Sequence, residues 1–143
     1  MAKITTYDPK KVLISFAGRE ITGYADGTFI TIEPHGEGFT LTVGSDGEMV
    51  RSIDPDDALV VTLTLLQSSE SNDHLSTIYQ LDKKTGKGLV PLLIKDGTGR
   101  TRAAAGKSYI SQLPSVGFAK TGEETREWSI IAADGQIIVG GNS

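Results

Sequence analysis

The chain of 143 residues contains no cysteine, which excludes disulfide bonds, thiolate zinc sites and cysteine nucleophiles together. Aromatic residues are also few, with one tryptophan, four tyrosines and four phenylalanines, whereas a groove for a sugar or another small ligand is commonly lined by several. No run of lysines and arginines occurs, and the formal net charge is −4 at pH 7. We therefore do not expect a surface that binds nucleic acid through clustered cations.

Long hydrophobic runs are absent as well. The longest nearly apolar stretch, ALVVTLTLL at residues 58–66, has nine residues, whereas a membrane-spanning helix needs about 20. The first eleven residues lack the apolar segment of a secretory signal peptide. The sequence thus predicts a soluble protein without a membrane anchor, and its length predicts a single domain over residues 1–143.

The sequence is rich in period-two alternation of apolar and polar residues, which is typical of β-strands with one buried face. The alternation is clearest at residues 59–66, where four aliphatic side chains share one face and Thr62 and Thr64 lie on the other. Glycine-containing turn pairs such as Asp46-Gly47 and Asp134-Gly135 separate such runs. We therefore predict a mainly β, antiparallel fold. The other alternating segments are residues 12–16, 29–33, 39–43 and 128–132, and QIIVGG at 136–141 follows them.

One segment, residues 70–86, departs from this alternation. Its apolar residues recur at helical spacing, and two lysines suit the C-terminal end of a helix. The pattern predicts a single helix over about residues 74–84. One of the polar residues 71–73 would cap its start, and Gly86 would end it.

The stretch GRTRAAAGKS at residues 99–108 ends in Gly-Lys-Ser, as a phosphate-binding loop does. Thr101 stands where the first glycine of that motif is required, and Pro114 follows Ser108 too closely for an adequate helix. A nucleotide-dependent enzyme therefore fails the spacing test. We predict a turn at residues 97–99 and then a strand.

Histidine and aspartate side chains could also bind a metal ion. Neither His35, in a glycine-rich turn, nor His74, at the start of the predicted helix, has the partner spacing of a zinc site. Asp54, Asp56 and Asp57 lack the central glycine and closing glutamate of an EF-hand calcium loop. Turn and helix-start positions are the favoured interpretations, so no metal site is predicted.

Trp128 and Arg126 could form a platform on which bases stack. A single tryptophan on an alternating strand more often belongs to the core, which is the interpretation favoured here. No group of residues then remains as a catalytic site. The sequence predicts a protein that is not an enzyme, needs no cofactor and works by binding or assembly.

Four segments are informative when they are taken together. They are VGSDGEMVRS at 43–52, LLQSSESNDHLS at 65–76, PLLIKDGTGRT at 91–101 and REWSIIAADGQIIVGGN at 126–142. In this order, they resemble tail tube proteins of contractile-tailed bacteriophages. The resemblance spans nearly the whole chain. It implies an antiparallel β-sandwich or barrel-like subunit with one helix.

The resemblance also implies a function. Six subunits would form a ring, and rings would stack into a hollow tube inside a contractile sheath, which penetrates the host envelope and conducts DNA. The implied partners are other copies of the chain, the tail sheath protein, and baseplate and tail-terminator proteins. DNA would pass through the lumen without specific binding. The protein would reside in the virion tail after assembly in the host cytoplasm.

Two kinds of surface are predicted for such a subunit. The 43–52 hairpin is expected to reach a neighbouring subunit, and both chain ends, residues 1–11 and 139–143, are expected to serve as contact arms. Because the chain is acidic, we hypothesise a negative lumen that repels phosphate. The candidate interface residues are Asp46, Gly47, Glu48, Met49, Val50, Arg100, Arg102 and Lys107. The candidate lumen-facing residues are Thr31, Glu33, Thr62 and Thr64.

Two alternatives stay open at the level of sequence. One is a stand-alone β-domain that binds a small ligand or a carbohydrate. The other is the tube of a phage-derived contractile particle that kills without carrying DNA.

Overall fold

The computed structural model describes residue 4 and residues 7–141. Within these residues it contains ten strands and one α-helix, and every strand pairing is antiparallel. The prediction of a mainly β, antiparallel fold with one helix is confirmed. The strands are β1 (Val12–Phe16), β2 (Arg19–Glu20), β3 (Ile30–Pro34), β4 (Phe39–Val43), β5 (Met49–Ile53), β6 (Leu59–Leu66), β7 (Val90–Asp96), β8 (Arg102–Gln112), β9 (Thr125–Ala132) and β10 (Gln136–Ile138), and the helix is α1 (Ser71–Thr85).

Eight of these strands form one sheet. Seven follow the order β2-β1-β7-β8-β9-β6-β3, and β10 pairs with the part of β8 that β9 leaves free. Residues between β2 and β3 cross from one end of this order toward the other, and Tyr24 forms a bridge with Leu65. The end strands β2 and β3 do not pair with each other in the described part of the chain. The sheet is therefore open within the described residues of one subunit, and no β-barrel is closed there.

The hydrophobic core lies on one face of this sheet. Along β6 the burial alternates strictly, as the sequence predicted, with Leu59, Val61, Leu63 and Leu65 buried and the intervening residues half-buried. The paired strand β9 contributes Trp128, Ile130 and Ala132 to the same core. The other face of β6, with its two threonines, is left toward solvent.

Helix α1 covers the core, into which it inserts the fully buried Leu75. Its end is as predicted, because Gly86 adopts a left-handed φ of 67°. Its start is not, because the helix begins at Ser71 rather than near residue 74. The polar residues expected to cap the helix lie inside its first turn instead.

Tertiary hydrogen bonds explain why these polar residues are helical. The Ser71 hydroxyl accepts the Thr22 N–H at 2.9 Å, which ties the helix to the segment after β2. The Asn72 side chain donates to the Leu66 carbonyl and accepts from the Trp128 indole N–H, both at 2.9 Å. Asn72 thus connects the helix to the end of β6 and to the core tryptophan.

The Gly-Lys-Ser stretch is a strand, as predicted. Residues 102–112 form β8, and no helix begins after Ser108. The Ser108 side chain is fully buried, and its hydroxyl donates to the Val90 carbonyl at 2.6 Å. A hydroxyl held in this way is not presented to a phosphate.

Replacement of Asn72 by alanine should lower the free energy of unfolding by about 1–3 kcal/mol, because the buried Trp128 N–H would lose its acceptor. Urea denaturation followed by tryptophan fluorescence measures the change. Thr77→Ala is the matched control on the exposed side of the same helix and should change the value by less than about 0.5 kcal/mol. Equal effects of the two variants would contradict this role of Asn72.

Candidate assembly surfaces

Strands β4 and β5 form a separate two-stranded sheet that extends from β3 and β6. All ten of their side chains are exposed. At the tip, the Gly44 N–H donates to the Glu48 carbonyl at 2.7 Å, and the Glu48 N–H donates to the Asp46 carboxylate at 3.2 Å. The predicted hairpin is confirmed, and residues 39–53 are called the arm from here on.

The arm has two chemically different faces. Paired residues of antiparallel strands lie on the same face, and the register pairs Phe39 with Ile53 and Val43 with Met49. Arg51 shares this face and lies over the Phe39 ring at 4.9 Å from its centre. Val50 lies on the opposite face, so Met49 and Val50 do not act together. The apolar arm face consists of Phe39, Leu41, Val43, Met49 and Ile53, and the other face carries Thr40, Thr42, Val50 and Ser52.

Two short segments, residues 35–38 and 54–58, join the arm to the sheet and are called the hinge. Asp54 accepts the N–H groups of Glu37 and Asp56 at 2.8 and 3.0 Å. Asp56 accepts the Ala58 N–H at 3.0 Å and pairs with His35. Gly36 permits the close approach of the segments, since a Cβ there would lie 2.5 Å from the Asp56 carbonyl oxygen. The carboxylates of Asp54 and Asp56 therefore fix the orientation of the arm.

Hydrogen bonds to the ionised form lower the pKa of both hinge carboxyls. The backbone N–H groups of Glu37 and Asp56 lower the pKa of Asp54, and the hydrogen bond with His35 is the largest cause of the lowered pKa of Asp56. In the described residues, no group of acids and histidines is arranged to hold a metal ion. The arrangement is structural, with the carboxylates occupied by the backbone and by His35.

The four candidate lumen-facing residues lie on one face of the main sheet. The register pairs Thr31 with Thr62, and Glu33 with Val60. Across the next ladder, Thr62 pairs with Ser129. We define the outer sheet face as Thr31, Glu33, Val60, Thr62, Thr64, Glu127, Ser129 and Ile131, which are the side chains of β3, β6 and β9 that point away from the core.

Charges of both signs occur on this side of the sheet. Lys95 of β7 and Arg102 of β8 are paired and exposed, and each lies beside a buried residue of its strand, as Glu127 does on β9. Glu33 is exposed on β3 beside the half-buried Ile32. Within residues 7–141, no lysine or arginine forms an ion pair with a carboxylate within 4.0 Å. These charges are thus available to groups outside the subunit.

The three candidate interface cations are all exposed. Arg100 lies in the turn before β8, where its N–H donates to the Gly141 carbonyl at 3.0 Å. Lys107 lies at an irregularity in the β7–β8 pairing. Arg102 and Lys107 are five residues apart on β8, so the three cations are spread over this strand and the turn before it. Of the predicted terminal arms, residues 1–3, 5–6, 142 and 143 lie outside the described residues.

A groove beside α1 was not predicted. The loop between β8 and β9 exposes three apolar side chains, those of Leu113, Val116 and Phe118. Together with Pro114, Trp128 and polar side chains of the helix, they line a groove of about 520 Å³. We call this the loop groove. The sequence carried little signal for it, because neighbouring exposed apolar residues in a loop show no periodicity.

Arg126 lies at the bottom of the loop groove and is only 7% exposed. Its guanidinium donates to the carbonyls of Thr125 and Gly117, both at 3.1 Å, and its Cζ lies 5.5 Å from the centre of the Phe118 ring. Trp128 is buried, as predicted, so the two residues do not form a stacking platform. Arg126 holds the loop in place and brings a positive charge to the groove.

Known proteins share this fold and this sequence pattern. A chain in the cryo-EM structure of the anti-feeding prophage cap, described as a tube terminating cap, matches with a TM-score of 0.58 over 97% of this chain and 95% of that chain, at 11% identity. This likeness shows that the two chains share a fold. Residues 14–140 match the family described as Bacteriophage PhiTE tail tube protein, and the chain belongs to this family.

A relative in a named phage supports the assignment. Structural protein ORF10 of Pseudomonas phage KPP10 is 30% identical over 148 residues, which cover 98% of this chain and 85% of that protein. The recognition of a phage tail tube protein from the sequence is confirmed, and the chain is a structural component of the virion tail. No helix in the described ranges has both the length and the apolar character needed to cross a membrane.

Titration by carbon-detected NMR should give midpoints for Asp54 and Asp56 below the ordinary aspartate value of about 3.9. Because each pKa is lower in the folded chain than in the unfolded one, the carboxylates stabilise the hinge above that pH. This stabilisation is lost as the pH falls through the folded-state pKa.

His35→Ala tests the stated cause of this shift. It should raise the midpoint of Asp56 toward the ordinary value and leave that of Asp54 low, since backbone N–H groups are the main cause there. Ordinary midpoints in the unaltered chain would contradict the hinge network.

Proposed function

We propose that this protein is the repeating subunit of a tail tube in which rings of six copies stack inside a contractile sheath. Membership of the tail tube family supports the proposal, and the apolar arm face is the observation that carries it. Its five side chains are between 56% and 69% exposed. Complete burial of one large apolar side chain contributes about 1.5–3 kcal/mol. A subunit that projects five of them on a hairpin gains most by contacting another copy.

The open sheet supports ring formation. Its end strands, β2 and β3, each leave one edge unpaired within the described sheet. An exposed edge invites pairing with another chain, and closure around a ring removes it. We infer that neighbouring subunits continue the sheet, so that the barrel missing from one chain is completed by six.

The outer sheet face suits the lumen of such a ring. It presents threonine and serine hydroxyls with Glu33 and Glu127, and the core lies on the opposite side of the sheet. Lys95 and Arg102 add positive charges, so the wall has mixed charge rather than the purely negative charge first hypothesised. The few cations on this wall do not form the dense basic patch that would hold DNA. DNA can then pass without specific binding.

This orientation of the sheet also determines which partners the remaining surfaces would contact. If the outer sheet face lines the lumen, α1 is on the outside of the tube, because it packs on the core side of the sheet. We propose that the helix side faces the sheath protein. The exposed ends of stacked rings would meet the baseplate and tail-terminator proteins. Assembly would take place in the host cytoplasm, and the role is mechanical, with no reaction or cofactor.

A small-ligand or carbohydrate-binding domain is the less favoured alternative. The five exposed apolar side chains of the arm lie on a projecting hairpin rather than in a concave pocket lined by aromatics. The tube of a phage-derived particle would use the same assembly surfaces, and it differs only in carrying no DNA.

A single carboxylate on the apolar arm face should abolish assembly. Leu41→Asp would place a charge in the proposed interface, where desolvation is costly. Thr42→Asp adds the same charge one residue away on the other face and is the matched control. Sedimentation and negative-stain microscopy should show folded, unassembled Leu41→Asp protein and normal assemblies of Thr42→Asp. Normal assembly of both variants would exclude the apolar arm face as the interface.

Reversal of the negative charges on the outer sheet face should slow DNA passage. The double variant Glu33→Lys and Glu127→Lys adds cations that would attract phosphate. We expect normal tubes, slower DNA ejection from assembled phage, and partial recovery at higher salt. Asp73→Lys, at an exposed position of α1 on the core side of the sheet, is the control. Unchanged ejection kinetics in the double variant would contradict the lumen assignment.

A further inference from the structure

We propose that the apolar arm face of one subunit binds in the loop groove of a neighbouring copy, with the acidic tip of the arm beside Arg126. This inference rests on the proposed tube function, and it names the acceptor of the arm. The arm carries five exposed apolar side chains on one face, and the loop that borders the groove carries three. They are separate surfaces and differ in shape.

Assembly into stacked rings requires contacts between unlike surfaces. A contact between identical patches closes a dimer, whereas a head-to-tail contact between different patches can propagate into rings and helical tubes. The arm and the loop groove supply one such unlike pair. The arm is a projecting ribbon, and the groove is a concavity between a loop and a helix. A strand of five residues extends roughly 17 Å, which gives the arm the reach to enter a neighbour.

The charges of the two surfaces are complementary. Among the described residues that line the groove, Arg126 is the one with a charged side chain. Its hydrogen bonds go to carbonyl oxygens, and no carboxylate lies within 4.0 Å of it among the described residues. The arm tip carries Asp46 and Glu48, which likewise form no ion pair there. A carboxylate that reaches the guanidinium of Arg126 would give a charge-assisted hydrogen bond to a side chain that is already largely removed from water.

Pairing of two arms through their apolar faces is the main competing arrangement. Such a pairing would bring the Arg51 side chains of both copies into one interface, because Arg51 lies on the apolar arm face. Like charges brought together across an interface are unfavourable. An arm in the loop groove also brings Arg51 toward one cation, Arg126, but it carries the carboxylates of Asp46 and Glu48 to that cation, and we therefore favour the groove as the acceptor.

Engineered disulfides test this contact directly, because the chain has no cysteine of its own. Met49→Cys lies on the apolar arm face and Val116→Cys on the rim of the loop groove, and both parent side chains are exposed. The two single variants are mixed, assembled into tubes and oxidised. A disulfide forms only when the Cα atoms come within about 7 Å. We expect disulfide-linked dimers in this mixture.

The matched control is Val139→Cys, at a residue that is 80% exposed, outside the groove. The mixture of Met49→Cys with Val139→Cys should yield about tenfold less dimer, since the geometric limit is strict. Replacement of Asp46 and Glu48 by asparagine and glutamine in the Met49→Cys chain should reduce the yield with Val116→Cys at least about threefold, because the charge-assisted bonds are lost.

The outcomes separate this inference from the proposed function. If tubes form and no dimer links residues 49 and 116, or if Met49→Cys alone gives arm-to-arm dimers, the groove is not the acceptor and the tube proposal stands. If the unaltered chain forms no rings or tubes, the proposed function and this inference both fail. Dimers between residues 49 and 116 that depend on the tip carboxylates support the contact.

Discussion

The arrangement of this subunit depends on one constraint, which is an apolar surface that the chain does not bury by itself. The aliphatic faces of β1, β6, β7 and β9 are buried in the core. The arm carries five more apolar side chains on one face, and these are exposed to solvent. Exposed apolar surface of this kind marks an interaction site. In the proposed tube, the free energy of its burial is gained only on assembly, which couples the stability of the tube to contacts between subunits.

The hinge sets the direction in which the arm presents this apolar surface. The arm continues from β3 and β6, so its position depends on the two joining segments rather than on packing against the body. Carboxylates of Asp54 and Asp56 fix these segments by accepting backbone N–H groups. An arm held in one direction loses less conformational freedom on binding than a mobile one. In the proposed tube, the sequence DPDDA would thus favour assembly by pre-organising the arm, and the outer sheet face would stay free to line the lumen.

The parts of the fold governed by local patterns were predictable from the sequence. Strict alternation in β6 and the glycine after α1 identified a strand and a helix end, because a strand with one buried face and a left-handed residue each require particular residue types. The start of α1 was misplaced because Ser71 and Asn72 form tertiary hydrogen bonds that no local pattern encodes. The loop groove and the role of Asp54 depend on chain segments brought together by folding.

Electron cryomicroscopy of the purified full-length protein, with helical reconstruction of its assemblies, tests the central claim most directly. The account predicts hollow tubes of six-fold rings in which Thr31 and Thr62 face the channel and the arm is buried against a neighbouring subunit. Monomers that persist at high concentration, or tubes in which the arms project freely into solvent, would contradict it.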